Sequence, residues 1–403
     1  MEELGIRVFW LLFGITLASS FAFGALQCVA LTMLWRRPRK RPLEDALPGI
    51  SVLKPIKGAD AGLRANLEAF LDQEYPEYEI LVGVKDPEDP AIPVIRAVMC
   101  EHPRAPVRLV LGAAATGMNP KVNNLSNLVR HARHEHLLIS DADVRPRPGY
   151  LRGIASELGG GAGLVHNVLV GTEERRLGAV LESLHMNSFV ATTLCAAHQV
   201  GHSCVVGKSM LFKRSDLEQI GGFAAVENVL AEDYVLGQRF QRSGFRVSLS
   251  LHALPVVNPD RSLAGFFNRQ LRWAQMRRRL SLRAYLAEVL GNPIAWLAVW
   301  SPWVVLAPPG SGGASLWLVV SGAVLSTKLA GDLALSRTLR GDFGALRNLP
   351  WTVVKDLLVA AVWFVGLFKR RINWRGSVRW IGPQSRLGSS PRDRGALADA
   401  LQA

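Results

Sequence analysis

His136-Leu137-Leu138-Ile139-Ser140 runs without a break into Asp141-Ala142-Asp143. A short apolar run that ends in two carboxylates reads as a buried strand with a polar exit. In sheets built with crossover helices, ligands gather at the carboxyl ends of the strands. Two carboxylates one residue apart at such an exit can converge on a divalent cation bridging two phosphates. Mg²⁺ and Mn²⁺ both prefer oxygen donors and keep water ligands. A solvated turn is the plain alternative, because Asp-x-Asp is common by chance.

The pattern upstream supports the strand. Residues 50–53 and 79–84 and Val107–Leu111 read as strands, and Leu63–Leu71 and residues 91–100 and 124–133 as helices. This alternation predicts an α/β domain with a parallel sheet. Asp86-Pro87-Glu88-Asp89-Pro90 is a second acidic turn after a strand, and by itself it reads as a polar βα loop. Downstream, Leu230-Ala231-Glu232-Asp233-Tyr234 opens a helical run through Phe240. Carboxylates there suit the positive end of a helix dipole. They equally suit a base for a hydroxyl nucleophile.

Hydrophobicity pools at the two ends of the 403 residues, 49 % of which are apolar. Residues 8–35 carry no formal charge, and about 20 apolar residues span a bilayer. The stretch is too long for a signal peptide, and the cationic cluster Arg36-Arg37-Pro38-Arg39-Lys40-Arg41 follows it rather than preceding it. An uncleaved anchor is therefore expected, and the positive-inside bias places the following domain in the cytosol. Three further apolar stretches cover residues 293–309, 314–335 and Trp351–Phe368. The first carries Pro302, Pro308 and Pro309; the second and third carry Lys328, Asp332, Lys355 and Asp356. Four full spans would strand the basic tail outside, so one of these segments is expected to be re-entrant or interfacial.

The net charge of +14 sits beside these apolar segments, as in Arg277-Arg278-Arg279 and Lys369-Arg370-Arg371. Such flanks face anionic lipid, and no nucleic-acid motif accompanies them, so nucleic acid is not an expected partner. Four scattered cysteines form no disulfide framework and suit a reducing compartment. Cys195, His198, His202 and Cys204 have the residue types of a zinc site. Their spacing is tighter than most structural sites allow, which favours a pocket or core role. Residues 262–286 interleave Phe266, Phe267, Leu271, Trp273 and Met276 with Arg269, Arg272 and three further arginines. This is an amphipathic, basic stretch suited to the membrane interface, where it can offer cations to a diphosphate.

In chain order, Asp89, Asp141 with Asp143, Asp233 and Arg269-Gln270-Leu271-Arg272-Trp273 resemble the D, D, D, (Q/R)xxRW signature of inverting GT-A glycosyltransferases. The last element is met through Arg269, since Gln270 is one residue out of register. The chain is more specifically similar to the ceramide glucosyltransferases, glycosyltransferase family 21. Echoes of that family include Leu53-Lys54-Pro55-Ile56-Lys57-Gly58, Asn119-Pro120-Lys121-Val122-Asn123-Asn124-Leu125, Gly163-Leu164-Val165-His166, Val206-Gly207-Lys208-Ser209 and Ile372-Asn373-Trp374-Arg375. The resemblance covers residues 48–376 or so. It departs at Asp143, which animal members lack and the wider superfamily has.

The resemblance implies UDP-glucose as donor, the primary hydroxyl of ceramide as acceptor and a lipid bilayer as the working surface. Asp89 with Asp86 would hold the nucleoside, Asp141 and Asp143 the sugar and the metal, and Asp233 would act as base. Arg269, Arg272 and Trp273 would meet diphosphate and acceptor. Lys54 and Lys121 become candidates for nucleotide contacts and His166 for either pocket, with structural roles open for all three. Hopanoid glycosyltransferases are close relatives, so N-acetylglucosamine onto a hopanoid is the alternative, and a non-catalytic scaffold a more distant one. A processive synthase would need more spans. An Ala/Arg-rich composition points to a bacterial inner membrane.

The expected organisation is an anchor with a basic flank (1–45), a GT-A catalytic domain (46–258), an interfacial helical region (259–290), a C-terminal membrane region (291–371) and a tail (372–403). From Gly382 onward the Ser/Arg/Gly-rich composition predicts disorder.

Overall fold

Strands that are apolar on both faces need cover on both sides, and the helices between them supply it. The computed structural model describes residues 2–36, 47–112, 114–305, 313–344, 346–374 and 377–388. Residues 37–41 of the first basic cluster, Pro308, Pro309, Arg375 and the tail from 389 lie outside the described residues. Among the described residues, one sheet contains β1 (Ile50–Ile56), β2 (Tyr78–Val84), β3 (Val107–Leu111), β4 (His136–Ser140), β5 (Leu164–Thr172), β6 (Ser209–Lys213) and β7 (Val247–Val257). Their order across it is β3-β2-β1-β4-β6-β5-β7.

The sheet is mixed rather than parallel. The pairs β1–β2, β2–β3, β1–β4 and β5–β7 are parallel, but β6 runs antiparallel to both β4 and β5. The expectation of a parallel sheet rests on the strands up to β4, and the antiparallel strand β6 lies beyond them, inserted between β4 and β5. Helices α2 (Leu63–Leu71), α3 (Ala91–Glu101), α4 (Pro120–His131), α5 (Tyr150–Gly159), α6 (Leu177–His185), α7 (Ala191–Gln199), α8 (Arg214–Gln219) and α9 (Glu232–Arg242) flank it. One core lies beneath Val52, Val82 and Leu138, and another beneath Leu53, Leu81 and Ile139 on the opposite face. Helix α4 starts four residues before its expected position. Asn119 caps it by accepting from the Lys121 and Val122 amides (2.9 and 3.2 Å), with Pro120 in its first turn.

The membrane-like elements are α1 (Glu2–Trp35), α12 (Pro293–Val305), α13 (Gly313–Arg340) and α14 (Trp351–Phe368), with α10 (Leu263–Leu280) and α11 (Leu282–Ala287) before them. Helices α1, α13 and α14 are long and apolar enough to cross a membrane. Among the described residues α12 covers 13, with Pro302 inside, which is fewer than a span needs. Gln27 donates to Asp332 (2.7 Å) and Trp35 to Thr338 (3.3 Å), so α13 runs parallel to α1. Ser19 donates to the Leu290 carbonyl while the Trp300 ring packs at a tilt against Phe9 (5.3 Å between centroids), so the chain through α12 runs the other way. The charges that mar α13 and α14 neutralise one another: Lys328 meets Asp332 and Asp356 (3.2 Å), and Lys355 meets Asp356 (2.8 Å) and the Ser188 hydroxyl (3.1 Å). Buried charges persist in such surroundings when paired.

The expectation of disorder from Gly382 fails for residues 382–388. After α14 the chain forms a small sheet of β8 (Arg371–Trp374), β9 (Ser377–Ile381) and β10 (Leu387–Gly388). Ile372, Ile381 and Leu387 bury against Leu230, and the fully buried Ser385 accepts from the Leu230 and Ala231 amides. The polar composition of residues 382–388 hides a segment that is ordered by satisfying backbone donors of the α/β domain.

Candidate active site

Strand β4 delivers Asp141 and Asp143 to the floor of a cavity of about 1220 Å³ at the carboxyl ends of β1 and β4. The antiparallel register Ser140↔Ser209 sets Lys208 directly across from Asp141, whose amide faces the Lys208 carbonyl. The Lys208 ammonium lies 2.6 and 2.7 Å from the two Asp143 oxygens and 3.0 Å from Asp141 Oδ2. Lys121 Nζ reaches Asp141 Oδ1 and Glu232 Oε1, both at 2.9 Å. Asn258 donates to Asp143 (2.8 Å), and the Arg269 guanidinium stands 3.9 Å from it. Burial opposes ionisation of Asp141, but Lys121 and Lys208 outweigh it and hold the carboxyl far below its ordinary range. Burial likewise opposes ionisation of Asp143, and Lys208 holds it ionised. Two oxygen donors converging on one cation position, here taken by an ammonium, fit a hard divalent ion.

The adjoining wall is built from the start of α9, which Lys121 ties to Asp141 through Glu232. Asp233 accepts from the Gly207 amide (2.6 Å) through one oxygen and from the Tyr234 amide (2.8 Å) through the other. A Cβ on Gly207 would come within 2.7 Å of Asp233 Cβ, so the glycine permits this close approach. Burial, with the neighbouring Glu232 charge, pushes Asp233 up to about 6. Such a carboxylate is ionised at neutral pH yet basic enough to take a proton.

Asp86 and Asp89 line the cavity at the exit of β2. Asp89 is buried and accepts from the Gly58 amide (2.9 and 3.0 Å) and the Ala91 amide (2.9 Å), tying the β1 and β2 exit loops together. Exposed Asp86 accepts from the Glu88 amide (3.0 Å). Helix α10 closes the cavity with Arg269, Arg272 and Trp273. Arg269 is held by Glu182 (2.8 Å) and lies over the Trp273 ring (4.7 Å), and Glu182 also pairs with Arg261.

Lys54 and His166 lie outside the cavity lining. Lys54 is fully buried under the floor, donating to Ser140 Oγ (3.2 Å) and the Asp141 carbonyl (3.0 Å) above the Phe70 ring. Burial brings its ammonium down to about 7. His166 sits within β5, where burial drives it down to about 3 and keeps the ring neutral. The Cys195/His198/His202/Cys204 set does not gather into a metal cluster among the described residues, and Cys195 packs in a hydrophobic core.

Glu182, Asn258 and Arg379, the last of which also lines the cavity, carry no local signal of a site role in the sequence. The Val206-Gly207-Lys208-Ser209 echo marks Lys208, but only the β4–β6 pairing gives it a partner.

The Glycosyl transferase family 21 model matches residues 12–387. The chain belongs to glycosyl transferase family 21. It is 30 % identical to ceramide glucosyltransferase 1 of Caenorhabditis elegans over 60 % of this chain and 53 % of that protein. With ceramide glucosyltransferase 3 of the same animal, identity is 27 % over 67 % of this chain and 60 % of the relative. The chain thus spans little more than half the length of these curated relatives. A ceramide glucosyltransferase of Gibberella zeae is 21 % identical over 89 % and 91 % of the two chains. Among solved structures, a mannosyltransferase from Pyrobaculum calidifontis in complex with GDP-Man and Mn²⁺ superposes with a TM-score of 0.50 at 16 % identity. That match covers 91 % of this chain and 99 % of the other. This family 21 chain has a GT-A-type fold and three helices long and apolar enough to cross a membrane.

Proposed function

We propose that this enzyme transfers glucose from UDP-glucose to the primary hydroxyl of ceramide with inversion, on the cytosolic face of a bacterial inner membrane. The reading rests on the site described above and on the names of its distant relatives. The observation that carries it is one cavity holding both a cation-binding carboxylate pair and a separately poised carboxylate, walled by a basic-aromatic helix packed on apolar ones.

Asp86 and Asp89 lie at the nucleoside end, and Asp141 at the sugar and diphosphate. Asp141 and Asp143 would hold the divalent ion, Mg²⁺ or Mn²⁺, which when bound neutralises charge building on the departing UDP. Lys121 and Arg272 add fixed positive charge along the same path. Asp233 accepts the proton of the lipid hydroxyl as that oxygen attacks the anomeric carbon opposite the leaving group. A single displacement turns an α-linked donor into a β-glucoside, and no residue has to carry a covalent intermediate. Trp273 and Arg269 on α10 border the acceptor side, where a lipid headgroup arrives without its tail leaving the bilayer.

The deciding experiment offers the purified enzyme UDP-glucose or UDP-N-acetylglucosamine with ceramide or a hopanoid alcohol, and identifies products by mass. We expect β-glucosylceramide. N-acetylglucosaminyl hopanoid as the preferred product would reassign donor and acceptor, and no turnover in any pairing would favour a scaffold.

A further inference from the structure

The cation position between Asp141 and Asp143 belongs, in this fold, to a side chain of the protein itself. Lys208 immediately precedes β6, and the Ser140↔Ser209 register together with the Asp141 amide donating to its carbonyl sets it opposite Asp141. Its ammonium contacts three of the four carboxylate oxygens, at 2.6, 2.7 and 3.0 Å. The remaining oxygen, Asp141 Oδ1, is taken by Lys121. Lys208 is itself 8 % exposed, so its charge is shielded from water and bound to these partners. Arg269 already stands 3.9 Å from Asp143 on the other side. A divalent ion bound by the same oxygens would meet the ammonium at contact distance, in surroundings where like charges repel strongly.

We propose that Lys208 is a tethered cation that competes with the divalent ion for Asp141 and Asp143, and that it couples ion binding to donor binding. The inference rests on the reading of these two aspartates as the cation site. The ion takes the carboxylates only when the Lys208 ammonium leaves them. A nucleotide diphosphate in the cavity, which Lys208 also lines, provides the anion to which that ammonium can turn. Ion and donor therefore bind as a cooperative pair, and the enzyme without donor holds the ion weakly. Lys208 acts as a positioning residue whose role shows in ion affinity.

The test measures Mn²⁺ binding to the full-length enzyme in detergent, by the loss of the free-ion electron paramagnetic resonance signal, with and without UDP. We expect Lys208→Met to bind Mn²⁺ about tenfold or more tightly in the absence of UDP, within the usual range of couplings between two ligands. The tightening that UDP produces should shrink by a similar factor. Lys208→Arg, which keeps the charge, should stay as weak as the parent. Thermal unfolding with and without Mn²⁺ keeps the test informative if Lys208→Met is unstable. Two unpaired buried carboxylates should lower its Tm, and Mn²⁺ should restore it more than it shifts the parent.

Equal Mn²⁺ affinity of Lys208→Met and the parent without UDP would overturn the proposal. So would a tightening equally large in Lys208→Arg, or one that persists undiminished when Asp141→Asn is added. If none of the proteins binds Mn²⁺ even with UDP, the cation-site reading itself fails and this inference falls with it.

Discussion

Two acidic pairs line the same cavity, bridged by Lys121, and the sequence writes them almost alike: Asp141-Ala142-Asp143 at a strand exit and Glu232-Asp233 at a helix start. Their electrostatics are opposite. The first pair is wrapped by Lys121, Lys208 and Arg269 and is held ionised at any physiological pH. In the second, Asp233 is bonded to two backbone amides, with a like charge beside it, and burial lifts it to about 6. The role of a carboxylate thus follows from its neighbours: one pair is suited to hold positive charge, the other to exchange a proton.

The sharpest way to break this contrast is to remove the proton acceptor alone. Asp233→Asn should lower kcat by roughly 10³-fold or more, within the reach of general base catalysis, while UDP affinity measured by calorimetry stays nearly unchanged. A parallel loss of UDP binding would mean that the two pairs share one role. Asp141→Asn is the reverse experiment. It should weaken UDP binding in the presence of Mn²⁺ and cost on the order of 10² in kcat/KM, the scale of removing one preorganised electrostatic partner.

The pH profile separates the pairs more gently. Asp233 must be deprotonated to act, so activity should be half-maximal near pH 6, level off above that and fall towards tenfold per pH unit below it. Glu232→Gln removes the adjacent negative charge and frees Lys121 from one partner. Both changes favour the ionised Asp233, so the acid limb should move to lower pH. An unmoved limb would show that a different group titrates. The smallest effect belongs to the tail. Ser385→Ala deletes the acceptor for the Ala231 amide at the start of α9 and should cost about 1 kcal/mol in thermal or denaturant unfolding, with little change in the acid limb.

The acidic clusters were legible because each ends or begins an element with a strong local signal. The apolar run of β4 and the helical pattern of α9 announce where chain direction changes, and polar groups at those points meet the cavity. Helices α2 and α14 and strands β3 and β4 match their expected bounds for the same reason. Lys54 is instructive in the other direction. The family resemblance makes it a candidate nucleotide contact with a structural role equally open, yet within β1 it turns under the floor, where it braces Ser140 and the Asp141 carbonyl. Residues 382–388 show that composition alone misjudges a segment whose order comes from contacts made elsewhere in the chain.

By itself the sequence determined the α/β domain, its acidic strand and helix ends, and the apolar segments that bracket it, because hydrophobic periodicity and length are local properties. Only the tertiary structure decided the mixed sheet, the placement of Lys208 between two aspartates and the elevation of Asp233. Strand register and burial depend on residues far apart in the chain, and charge interactions fall off over a few ångströms of space rather than a few positions of sequence.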